Sequence, residues 1–132
     1  MNAALCVRGA WMGFQAIPII RIFDESKAKE FYLEFLGMSL DWEHRFEPGF
    51  PIYMQVSKGG LVFHLSEHYG DCSPGAKTFV NTDEFEALYG EITSRGYRYS
   101  RPELTTAPWG DRVFEVIDPF SNRILFNECI NT

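Results

Sequence analysis

The chain repeats itself once, at a fixed spacing, and that constrains the fold more than any other feature. Asp24 and Asp83 stand 59 residues apart, as do Gly37 and Gly96, and as do Gly59 and Asp118. Each pair marks the same kind of punctuation: an acidic helix start, a glycine helix stop, and a turn residue. Side-chain identity between the halves is low, so the spacing and not the composition carries the repeat. Two long copies point to an internal duplication and not to a solenoid, whose units are shorter and more numerous.

Each copy spells one element order. Gln15 to Phe23 is an apolar, β-branched run that reads as a buried strand. Asp24-Glu25-Ser26 then starts a helix whose Ala28, Phe31, Tyr32 and Phe35 recur at three- and four-residue steps, and Gly37 closes it. Met38 to Phe46, Ile52 to Ser57 and Leu61 to Ser66 follow as strands, parted by Glu47-Pro48-Gly49 and Lys58-Gly59-Gly60. The second copy runs as strand 76–80, helix 83–94, then strands 97–104, 113–117 and 123–127. The expectation is an α+β chain of two βαβββ modules, 14–66 and 76–128, joined by the polar, turn-rich linker 67–75 into one domain. Residues 1–13 read as a loosely held extension, with Met12 as an alternative start, and lack the apolar core and cleavage site of a signal peptide.

The stretch from Pro108 to Phe126 is the most informative. Val113 to Ile117 and Arg123 to Phe126 are strand-like and flank the turn formers Asp118-Pro119-Phe120-Ser121-Asn122, so the segment reads as a hairpin. Trp109 stands between Pro108 and Gly110 just ahead of it. The pattern PWGxxxFxxxDPxxN followed by an apolar strand resembles the C-terminal hairpin of the bleomycin-resistance and glyoxalase proteins, the vicinal-oxygen-chelate superfamily. Upstream, Ile17-Pro18-Ile19-Ile20-Arg21-Ile22-Phe23-Asp24, Ala28, Phe31-Tyr32 and Leu36-Gly37 resemble that family's first strand and helix. The resemblance implies paired modules forming a curved mixed sheet around a cleft, completed by dimerisation. Pro18 cannot donate a ladder hydrogen bond, and in the family such a proline accompanies exchange of the N-terminal strand in a homodimer.

Enzymes of the superfamily hold a divalent metal on four strands. Here the corresponding places fall on Ile17, His64, Gly75 or Ala76, and Leu125, so only His64 keeps a donor. One donor cannot hold a metal that needs three or more protein ligands, and the expectation is no metal and no cofactor. No Ser-His-Asp or Cys-His arrangement is visible either, and His44 and His68 belong in or beside loops.

Aromatic side chains remain. In the family's drug-binding members, an aromatic from the third-strand region and the Trp of PWG sandwich a flat heterocycle, which by position implies Trp109 with Tyr53 or else Phe50. Trp42 and Phe46 lie nearby on the chain and serve equally well as core or dimer contacts. His64 is either a ligand contact or a satisfied strand histidine. Asp111, Glu115 and Glu47 could attract an amine, or simply be solvated charges.

The resemblance therefore implies a binder that sequesters a bleomycin-like antibiotic without chemistry. The alternatives are a metal-dependent lyase or dioxygenase, against which the missing ligands count, and a binder of another aromatic metabolite. Twelve basic against eighteen acidic residues give a net charge of -6 with no basic run, which argues against nucleic acid. No run approaches the ~20 apolar residues needed to span a bilayer. Cys6, Cys72 and Cys129 form no CxxC pair, and an odd count points to unreactive, reduced thiols in the cytoplasm.

Overall fold

The computed structural model describes residues 13–97 and 101–129. The expected extension of residues 1–13 thus lies, apart from Gly13, outside the described residues. The first copy builds β1 (Ile19–Arg21), α1 (Glu25–Lys29) continuing as a wide π-helical turn over Glu30–Phe35, β2 (Ser39–His44), β3 (Tyr53–Lys58) and β4 (Leu61–Ser66). The second builds β5 (Lys77–Thr82), α2 (Phe85–Arg95), β6 (Thr105–Thr106), β7 (Arg112–Ile117) and β8 (Arg123–Glu128). Each copy forms a four-stranded mixed sheet, in the orders β1-β4-β3-β2 and β5-β8-β7-β6. In each, the first strand runs parallel to the last and the others pair antiparallel.

The duplicated punctuation has physical counterparts. Asp24 caps α1, its Oδ1 accepting from the Lys27 N–H at 2.9 Å. Gly37 sits at φ +78°, where a Cβ would lie 2.9 Å from a guanidinium nitrogen of Arg95. That arginine reaches across from α2 to donate to the Phe35 carbonyl at 3.0 Å, satisfying an orphan acceptor at the end of the first helix. The two halves therefore meet at the end of the first helix, where Gly37 leaves room for the Arg95 guanidinium.

Two strands differ from the sequence expectation. β1 is only three residues long because Pro18 has no N–H, although its carbonyl still accepts from His64 N–H at 3.0 Å. Of the strand expected over 97–104, residues 98–100 lie outside the described residues; Tyr97 forms a bridge, 101–104 form no strand, and the short β6 follows, with Pro102 unable to supply a ladder donor.

Both sheets turn one face to a shared core. Ala28, Phe31, Tyr32 and Phe35 of the first helix are all buried, as the periodicity required, and they join Met54, Val56, Phe63 and Leu65 from the first sheet with Phe114, Val116, Ile124 and Phe126 from the second. Phe31 and Phe35 pack against Tyr97 at 5.5 and 5.1 Å between ring centres. The alternation of the strands then leaves the other face of each sheet looking away from the core.

Candidate functional site

Each outward sheet face carries an aromatic cluster. On the first sheet, register places Trp42 opposite Gln55, and Gln55 opposite His64. Trp42 lies nearly parallel to Tyr53, with centres 6.0 Å apart and planes 13° off, and it meets His64 edge-on at 5.3 Å. The register of this edge strand shifts between Leu40 and Trp42, the irregularity of a β-bulge. Tyr53 Oη lies 2.7 Å from His64 Nδ1, and His64 Nε2 lies 3.0 Å from Gln55 Oε1. An amide oxygen only accepts, so Nε2 carries the proton and Nδ1 accepts from the tyrosine hydroxyl. His64 is thereby held neutral with both nitrogens committed.

Partial burial depresses the His64 pKa below its ordinary 6.5. The unfolded chain takes up a proton at a higher pH than the folded one, so this group's linkage lowers stability as pH falls below about 6.5. Melting curves collected downward from pH 7 should show that loss, and a His64→Gln chain should lose less over the same interval.

On the second sheet, the Pro108–Gly110 corner closes through Gly110 N–H to Ala107 O at 2.9 Å, with Gly110 at φ +99°. The turn presents the indole of Trp109, 39% exposed, beside Phe79, with ring centres 5.9 Å apart. The indole N–H donates to Asn127 Oδ1 at 2.7 Å. Asn127 is fully buried, and its amide nitrogen donates to Asn81 at 3.0 Å and Asp111 at 3.1 Å. A buried, fully engaged amide thus fixes one edge of a ring whose face stays open.

The structure groups Trp42, Tyr53 and His64 on one face and Trp109 with Asp111 on the other. Phe50 joins neither and lines a separate cavity with Arg21 and Arg45. Phe46 projects into solvent against His44. Glu115 lies between Lys77 and Arg123, each at 3.1 Å, so its charge is largely compensated. Among the described residues no three His, Cys, Asp or Glu side chains converge as a metal site. A cleft of about 500 Å³ on the seam between the modules, lined by Leu36, Met38, Lys58, Leu61, Val80 and Phe126, contains none of the candidate residues.

Sequence reasoning passed over Phe79, Gln55 and Asn127. Phe79 and Asn127 meet Trp109 only because β5, β8 and β7 lie side by side. A buried asparagine on an apolar strand was the one available signal. The cysteines need a correction: Cys72 is a free thiol, but Cys129 is disulfide-bonded, against the expectation of reduced thiols throughout. Spacing along the chain hides how β8 delivers Cys129 to the end of β5, where its N–H donates to Thr82 O at 2.8 Å. No helix among the described residues is long and apolar enough to cross a membrane.

Two βαβββ modules, each a four-stranded mixed sheet with one helical segment, define an α+β fold. The chain belongs to the glyoxalase superfamily, whose family model matches residues 4–132. Among solved structures, a bleomycin-binding protein complexed with bleomycin superposes with a TM-score of 0.69 at 21% identity, over 88% of this chain and 98% of that one. The bleomycin resistance determinant encoded on transposon Tn5 gives 0.68 at 19%, over 88% and 98%. TnmS3, an antibiotic binding protein from Streptomyces sp. CB03234, gives 0.67 at 23%, over 91% and 100%. No curated protein matches the sequence.

Proposed function

We propose that the chain binds and sequesters a flat, partly cationic antibiotic of the bleomycin class without transforming it. The observation that carries this reading is Trp109: its indole N–H is anchored to a buried asparagine while its ring stays half-exposed beside Phe79. An open, orientation-fixed pair of rings suits stacking on a heterocycle, and a net charge of -6 favours the approach of a cation. Structural neighbours whose ligands are bleomycin or another antibiotic support the same class. Titration of metal-free protein with bleomycin should quench tryptophan fluorescence to a saturable endpoint. An unsaturable or absent response would remove the antibiotic from consideration.

The reading includes a homodimer. Trp42 and Tyr53 lie on the outward face of one sheet, and Trp109 and Phe79 on that of the other, so a sandwich between the two clusters takes its walls from two chains. β1 is an edge strand introduced by Pro18, the position from which an N-terminal strand can be exchanged. Sedimentation at micromolar concentration should give a dimer mass, and a clean monomer would refute this arrangement.

A further inference from the structure

We infer that the end of the first sheet holds a second, separate pocket that takes a small planar aromatic carboxylate. A cavity of about 470 Å³ there is lined by Arg21, Phe23, Glu25, Arg45, Phe50 and Glu67, among others. Arg21 is half-buried, and one of its terminal nitrogens, Nη1, is buried with no hydrogen-bond partner among the described residues. Its guanidinium carbon rests 4.5 Å above the Phe23 ring, a contact that offers a face but no acceptor.

The acids nearby are otherwise engaged. Glu25 is shared between Lys29, at 2.7 Å, and Arg45. Glu67 accepts from the Ile52 N–H at 3.0 Å, and neither carboxylate forms an ion pair with Arg21. Arg45 is satisfied by Glu25 and by the Phe50 carbonyl, at 2.8 Å. Among the described residues the cavity lining therefore holds one guanidinium nitrogen without a partner, and a buried donor left without an acceptor is costly. Turning the flexible end of the Arg21 side chain brings the orphan N–H into the cavity, where a carboxylate accepts it through the fork geometry a guanidinium favours. Phe23, 55% exposed, and Phe50, 47% exposed, supply apolar walls for a planar ring.

This site is independent of the Trp109 cluster, and the test keeps the two apart. In calorimetry at low salt, 2-naphthoate should bind about tenfold more tightly than the isosteric, uncharged 2-naphthamide, the margin of a hydrogen bond to a charged group. Arg21→Gln should abolish that preference, Arg21→Lys should retain part of it, and Trp109→Ala should leave it intact. Equal binding of the two probes, no naphthoate binding, a preference that survives Arg21→Gln, or one lost in Trp109→Ala would each overturn the assignment. Should Arg21→Gln fail to fold, Phe50→Ala in the exposed loop decides: weaker naphthoate binding supports the pocket, and unchanged binding overturns it.

Discussion

Trp109→Ala is expected to cost ten- to a hundredfold in affinity for a bleomycin-type ligand while the protein keeps its fold. Stacking of a flat heterocycle on an aromatic ring contributes roughly 1 to 3 kcal/mol by analogy with base stacking, which sets that range. The fold survives because the indole is perched at the corner of a turn closed by backbone hydrogen bonds. Asn127 loses one donor but keeps Asn81 and Asp111. Trp109→Phe retains a ring without the N–H that fixes its edge, so an intermediate loss is expected. Tyr53→Ala should act on the same ligand, and if both rings clamp one heterocycle the double mutant loses less than the sum. A Trp109→Ala protein that melts several degrees lower and binds normally would make the indole a packing residue.

The largest stability effect is expected at Asp118. This carboxylate is buried and accepts from four donors: Tyr32 Oη at 2.7 Å, and Asn122 Nδ2, Asn122 N and Phe120 N at 2.8 Å each. Burial pushes its pKa up, and the hydrogen bonds oppose that shift. Asp118→Ala removes the acceptor of all four, leaving Asn122 Nδ2 only its bond to the Arg21 carbonyl, at a cost of about 3 to 5 kcal/mol. Tyr32→Phe removes one of the bonds and leaves the carboxylate held by the other three, so roughly 1 kcal/mol is expected. Denaturant midpoints at neutral pH measure both. An Asp118→Ala chain within about 1 kcal/mol of the parent would show that the turn is held by its backbone alone.

Legibility from sequence followed the range of the interaction. The first helix was readable because three- and four-residue steps put Ala28, Phe31, Tyr32 and Phe35 on one buried stripe. The hairpin and its Trp109 corner were readable because proline and glycine act on adjacent residues. What escaped depends on register between strands far apart in the chain. Phe79 beside Trp109, Asn127 beneath it, and the Tyr53–His64–Gln55 chain of hydrogen bonds exist only once neighbouring strands are aligned. Of the strand sought over 97–104, residues 98–100 lie outside the described residues, while 101–104 are not strand and the ladder forms at Thr105–Thr106, because Pro102 lacks a donor and the pairing partner is β7. Arg21 escaped because an unmet hydrogen bond leaves no trace in a pattern of residue types.

The shared core makes each half depend on the other. Helix residues of one copy complete the interior of the other, and the Tyr32 to Asp118 bond ties them. Either half expressed alone would expose that interior to water and would need a second molecule to cover it. The covalent tether holds the two halves at an effective concentration on the order of millimolar, so that covering the interior is a step of intramolecular folding and does not depend on protein concentration.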